Sequence, residues 1–192
     1  MSAPDAPAAL TVMASATAFG HHRWIEQQLF EVLGGWVQSV ADPAVKVMLA
    51  THSQHRAWHA SLWEERVPRT REVDLEAVTA PARPEVAAVL EALRGLEGDV
   101  ARLAGAYRVV LPALVVAHDA LAAVCTPAAD QPTARVLRLV LADDLDHWRT
   151  GEAHLQRLTT DAAALDEAAA AEAAVRALLV AAGGLHGFPA GT

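Results

Sequence analysis

Residues 97–125 read EGDVARLAGAYRVVLPALVVAHDALAAVC. The fold turns on this stretch, because its centre, VVLPALVV at 109–116, looks like a buried β-strand in isolation. Its flanks decide otherwise. Val100, Leu103, Tyr107, Val110, Leu114, Leu121 and Cys125 recur at steps of three, four or seven residues, the stripe of an α-helix. Pro112 lies inside that helix, removes one backbone hydrogen bond and predicts a kink, either simply tolerated or opening a cleft toward the core.

Outward from this segment the same period recurs. It predicts long helices over 14–40, 43–65 and 133–158, and a short one over 85–94. An alanine-rich helix follows, capped by Thr159, Thr160 or Asp161 and ending at Gly183-Gly184. Pro43 ends the first helix, and Asp42 caps the second with Pro43 in its first turn. The stretch VPRTREVDLEAVTAPARP at 67–84 reads as a long connection. No Asn-Gly or similar hairpin signal occurs. Two helical hairpins joined by a crossover predict an all-α four-helix bundle with an additional C-terminal helix. Residues 1–13 read as a flexible tail, 14–184 as one domain and 185–192 as a second tail.

Composition bounds the function classes. A chain of 192 residues, 53% of them hydrophobic, is long enough for one well-buried core. A net charge of -8 argues against a nucleic-acid face. Cys125, the one cysteine, excludes an internal disulfide and points to a reducing compartment. No apolar run reaches the ~20 residues of a membrane span, and the start lacks a basic signal region. The expectation is a cytoplasmic protein acting on a small-molecule substrate or ligand. Nucleic acid and membrane are not expected partners.

The polar residues on the apolar stripes carry the functional signal. A helix turns about 100° per residue, so each face can be placed. In the first helix Ile25, Leu29, Leu33, Trp36, Val37 and Val40 share one face, with His22 at its centre and Glu26 inside it; Glu31 points to solvent. In the second, His52, His55 and His59 sit among Val45, Met48, Leu62 and Trp63. Tyr107 and His118 lie on the third stripe. In the fourth, Leu137, Val140, Leu141, Trp148 and Leu155 face inward, with Asp144 central and His147 a turn along. Six of nine histidines thus point at the core; His21, His154 and His186 do not. An unpartnered buried polar group costs ~1–3 kcal/mol. These groups must satisfy one another, hold water or bind something.

An internal repeat sharpens the site. LATHSQH at 49–55 parallels LADDLDH at 141–147, each on the second helix of its hairpin. Spacing of i, i+3 puts both donors on one face, as two ligands of one metal require. Glu26, His59, Asp144 and His147 all fall near the bundle's midpoint when counted from the nearest turn.

Four inward-facing helices with a (Glu)-x-x-His pattern on the second and fourth resemble the ferritin-like superfamily of rubrerythrins, di-iron oxygenases and tRNA-modifying hydroxylases. The segment VLADDLDHWRTGEAHLQRL at 140–158 is similar to the last core helix of hydroxylase-type members. The resemblance covers roughly 14–158. It implies that Glu26 is the first-helix carboxylate, His55 the motif histidine of the second helix, and Asp144 and His147 the pair on the fourth. His52 stands where that family carries a bridging Glu, and the third helix offers His118 rather than a carboxylate. The metal-ligand set is therefore Glu26, His55, His59, Asp144, His147, His52, His22 and His118, with Tyr107 the candidate catalytic side chain. The implied activity is that of an oxygenase or hydroxylase using one or two non-haem Fe ions, with Zn, Ni or Cu as alternatives. The imidazole-rich first half predicts fewer than two tightly held ions.

Other readings stay open. The bundle is a non-enzymatic ligand- or partner-binding protein with a histidine-rich core, or a three-histidine metal bundle of the thiol-transferase kind, whose pattern His55 and His59 half meet. No Gly-rich phosphate loop, Ser-His-Asp order or Cys-x-x-Cys occurs. Cys125 reads as a packed thiol, the charged run 64–72 as solvated surface, and the alanine-rich helix as packing or a homodimer contact.

Overall fold

The computed structural model describes residues 10–126 and 129–187. Every regular element among them is helical. In chain order they are α1 (Val12–Trp36), α2 (Pro43–Glu64), α3 (Leu75–Val78), α4 (Pro84–Arg94), α5 (Asp99–Ala104), a π-helical turn (Gly105–Val110), α6 (Leu111–Val124), α7 (Gln131–Leu158) and α8 (Ala162–Ala181). Side-chain caps start four of them: Thr11 accepts from the Ala14 N–H, Asp42 from Ala44 and Val45, Asp74 from Glu76 and Asp161 from Ala164. Gly183 and Gly184, both at positive φ, close α8 with a Gly184 N–H bond to the Leu179 carbonyl.

The stretch 99–124 is continuous but not uniform. Pro112 has no N–H for the Arg108 carbonyl, and the helix widens into the π-turn just before it. The Leu111 N–H reaches back to the Ala106 carbonyl, and the Arg176 guanidinium reaches the Arg108 carbonyl at 3.4 Å. The expected kink is thus a local widening, with Tyr107 in its middle. This segment has a mean hydropathy of 1.6 and is long and apolar enough to cross a membrane, contrary to the sequence expectation, yet 61% of its apolar window is buried inside the bundle.

The proline-rich connection after α2 is not irregular throughout. Its α3 comes so close to α1 that a Cβ on Gly20 would collide with the Val78 carbonyl. α1 packs along α2, α2 along α7, and α7 along α5 and α6; α8 lies outside, against α4, α5 and the π-turn. Arg108 fastens that outer layer through Glu152 on α7 at 2.8 Å and Glu172 on α8 at 2.9 Å.

Two apolar clusters fill the bundle. One holds Ile25, Leu29, Leu33, Leu49, Leu103, Leu114 and Leu155. The other holds Phe19, Trp63, Leu121, Leu137 and Val140. On each of the four long helical stretches a group of buried polar residues falls between these clusters: 21–26 on α1, 52–59 on α2, His118 on α6 and 144–147 on α7. A fully buried Leu contributes ~1.5–3 kcal/mol, so two such clusters hold the polar layer in place.

Three further sequence expectations need correction. Trp148 is 41% exposed rather than inward, because the wide polar face of α7 begins where its ring stands. His21 is fully buried: its Nδ1 accepts from the Ala82 N–H and its Nε2–H donates to the Leu185 carbonyl. That bond, and the burial of Leu185, pack residues 185–187 onto α1 rather than leaving them as a tail. Residues 1–9 and 188–192 of the two expected tails lie outside the described residues.

Candidate functional site

The centre of the polar layer is a cation that the sequence reading passed over. Arg56 on α2 is 1% exposed. Its Nη1 stands 2.6 Å from Asp144 Oδ1 and 3.2 Å from Glu26 Oε2, and its Nη2 donates to His147 Nδ1 at 2.8 Å. The Asp144 contact is an ion pair whose angle falls outside hydrogen-bond geometry, which leaves Oδ1 formally without a hydrogen-bond donor. Both carboxylates are fully buried, where an uncompensated charge costs several kcal/mol. Burial pushes both pKa values up. For Asp144 the Arg56 guanidinium and the His118 hydrogen bond outweigh burial and hold it below the usual carboxylate range. For Glu26, Arg56 and His59 do the same. The two carboxylates in turn hold Arg56 charged against its own burial.

Two histidines face Glu26 from the other side, each braced by an aspartate. His59 Nε2 donates to Asp143 Oδ2 at 2.9 Å, and His118 Nδ1 donates to Asp144 Oδ2 at 2.9 Å. In the neutral ring, each bond leaves the other nitrogen free to accept. His59 Nδ1 lies 3.6 Å and His118 Nε2 lies 3.9 Å from Glu26 Oε1, and neither has a hydrogen-bond partner. His22, one turn before Glu26, has its ring 4.8 Å from that of His118 and both nitrogens buried without partners. The Trp63 indole packs on both rings, 5.1 Å from His22 and 5.5 Å from His118. Burial strongly disfavours a proton on His22, with His118 and His21 adding to the effect. For His59 burial acts the same way, but Glu26 and Asp143 outweigh it and raise its pKa.

The remaining histidines form a separate chain on the far side of Arg56. Arg56 can only donate, so His147 Nδ1 accepts, its Nε2 carries the proton, and that N–H donates to His55 Nδ1 at 2.8 Å. His52 stacks on His147 at 3.8 Å and meets the Tyr107 hydroxyl through Nδ1 at 2.7 Å. Burial and the nearby Arg56 charge lower His147 to about 2 and His52 to about 3. Burial raises the Tyr107 phenol above its ordinary value. Leu29, Leu33, Ala106, Val110 and Leu111 complete the wall of a cavity of about 20 Å³ beside Arg56, Tyr107, His52 and His147. That is room for one water-sized molecule.

The eight expected metal ligands therefore part into two groups. Glu26, His59, His118 and His22 surround free donor atoms; His52, His55, His147 and Asp144 are engaged with Arg56, Tyr107 or one another. His55 is half-buried at the edge of the layer. Two residues that sequence reasoning missed, Arg56 and Asp143, organise the site. Arg56 sat in plain view at i+4 from His52 and i-3 from His59, on the same stripe.

Among the described residues, no three His, Cys, Asp or Glu side chains stand as a ready-made metal cradle. The donor set nevertheless suits one. Ligand atoms of a tetrahedral centre with ~2.0–2.1 Å bonds lie about 3.3 Å apart. The 3.6 and 3.9 Å separations around Glu26 Oε1 are a few tenths of an ångström longer than that. Imidazoles that turn a bare nitrogen to the centre and donate the other to a carboxylate have the outer-shell pattern of metal-ligating histidines. No protein-family model, no curated protein and no solved structure matches the chain.

Proposed function

We propose that this chain is a ferritin-like helical bundle that binds one divalent metal ion through Glu26, His59 and His118, with His22 as the fourth donor. The observation that carries the reading is the pair of aspartate-backed imidazoles whose free nitrogens face Glu26 Oε1. Two imidazoles and a carboxylate suit non-haem iron, and a bound ion of that kind would supply dioxygen activation or another redox step on a small substrate. The chain's own residues do the rest. Asp143 and Asp144 fix the tautomers and ring orientations of His59 and His118. Arg56 neutralises the carboxylates, and the two apolar clusters keep bulk water out.

Calorimetric titration of metal-free protein with Zn²⁺, Cu²⁺, Ni²⁺ and Fe²⁺ tests this. One ion per chain is expected, with Cu²⁺ tightest and Fe²⁺ weakest. His59→Ala and His118→Ala should each abolish tight binding. Asp143→Asn should weaken it ~10–100-fold, the usual cost of losing an outer-shell partner. His186→Ala should change nothing.

A second reading has its own support: Arg56 already balances Glu26 and Asp144, as a closed, ligand-free polar core would need. Absence of binding by every ion would select it.

A further inference from the structure

Arg56 makes an unusual set of contacts for a structural arginine. One guanidinium meets a carboxylate oxygen of Glu26, a carboxylate oxygen of Asp144 and the bare Nδ1 of His147. Those three atoms come from two helices, α1 and α7, and are all metal-ligand types, two oxygens and one imidazole nitrogen. Among the described residues, no tyrosine, serine or backbone carbonyl partners Arg56. Glu26 also faces both ways. Its Oε2 is the one nearer Arg56, at 3.2 Å, and its Oε1 is the one nearer His59 and His118.

We propose that the Arg56 guanidinium occupies a second cation position of this centre and thereby limits it to one metal ion. This rests on the metal reading given above for Glu26, His59 and His118. Glu26 and Asp144 bring two negative charges into a fully buried layer, and Arg56 brings a fixed positive charge that cannot leave by deprotonation. A divalent ion placed on the same three atoms would have to displace a tethered cation already paired at 2.6 Å. The tether fixes Arg56 at a high local concentration, so an ion must bind far more tightly to displace it. Arg56 is therefore a specificity-determining residue: it sets how many ions bind and keeps Asp144 and His147 from ligating. His147 is held in the tautomer that turns Nδ1 inward, so the donor is present but engaged.

Removing the side chain should uncover the position. The test is the Zn²⁺ stoichiometry by calorimetry, with Co²⁺ absorption as a check on ligand environment, for wild type, Arg56→Lys, Arg56→Met and Arg56→Met/His147→Ala. One ion is expected for wild type and for Arg56→Lys, which keeps a tethered cation. Two are expected for Arg56→Met, and one again for the double variant. Arg56→Met leaves two buried carboxylates without their partner, so its metal-free form will be less stable than wild type. Zn²⁺ should restore its helical circular dichroism and raise its Tm by more than it raises that of wild type. One ion in both wild type and Arg56→Met overturns the inference and leaves the metal reading standing. So does an Arg56→Met protein that stays unfolded at saturating Zn²⁺ while Arg56→Lys folds. No ion in wild type but one, lost with His147→Ala, in Arg56→Met overturns both, because the centre then has a single cation position and Arg56 fills it. No ion in any variant overturns both.

Discussion

At the scale of single residues, side chains legible in the sequence were those whose type already suggested chemistry. His22, Glu26, His59, His118 and Asp144 sit on apolar stripes, and a polar side chain there is visible by contrast. Arg56 and Asp143 were not legible. A long cation on a helix ordinarily lies along the surface with its head in water, and only a three-dimensional neighbourhood of two carboxylates can hold one inside. Asp143 is one step off the stripe and reaches His59 from the rim. Tyr107 was legible as a stripe residue, but its tight seat was not. Its ring lies directly on Gly151 of α7, where an added Cβ would overlap ring carbons. Gly151→Ala sets two effects against each other. Alanine gains up to ~1 kcal/mol of helix propensity, while overpacking a rigid ring costs ~1–3 kcal/mol. The clash should win, because the ring is also held by the 2.7 Å bond to His52. A net loss of about 1 kcal/mol is expected in urea denaturation, and a gain would show that the ring can move aside.

At the scale of elements, boundaries set by caps and prolines were readable, because they follow from local chemistry. The strand-like run 109–116 is helical, as its flanks indicated, since period and not apolar content separates the two forms. The π-turn was not readable. Pro112 announces a missing bond, but whether the helix bends, breaks or widens depends on what packs around Gly105 and Tyr107. The start of α2 shows how one cap does two things. Asp42 accepts from the Ala44 and Val45 N–H groups at 2.8 and 3.1 Å and also meets Arg157, at the end of α7, at 2.7 Å. Asp42→Asn keeps a capping oxygen and loses the ion pair; Asp42→Ala loses both. Tm should fall in that order. The gap between wild type and Asp42→Asn should shrink in 1 M salt, where the screening length is about 3 Å, while the gap between Asn and Ala should persist. A gap between wild type and Asn that ignores salt would show that the ion pair contributes nothing.

At the scale of the whole molecule, the buried histidines make stability depend on pH, and His21 shows why most clearly. It joins three distant parts of the chain: α1, the connection at Ala82 and Leu185, just after α8. Both its nitrogens are engaged in the neutral form, one accepting and one donating. Burial, with the Arg83 charge in the same direction, lowers it from 6.5 to about 4. A base whose folded pKa lies below its unfolded pKa is protonated first in the unfolded chain. Its contribution is therefore complete above about pH 6.5 and is lost as the pH falls toward 4. At pH 5 an unfolded-state histidine is nearly all charged and the folded His21 nearly all neutral, a loss on the order of 2 kcal/mol. His52 at about 3 and His147 at about 2 act in the same direction. The raised pKa of His59 acts against them, and the depressed values of Glu26 and Asp144 stay protective throughout this range. Three losses of this size are comparable with the ~5–15 kcal/mol that holds a typical domain together. Metal-free protein should thus lose a large part of its unfolding free energy between pH 7.5 and pH 5, read from urea midpoints at constant slope. His21→Gln should be less stable than wild type at pH 7.5, because a bond to Ala82 or Leu185 is lost, and should lose about 2 kcal/mol less on acidification. Equal losses in the two proteins would mean that His21 takes up its proton in the folded state, and that the joint between α1, the connection and the C-terminal end opens without unfolding the bundle.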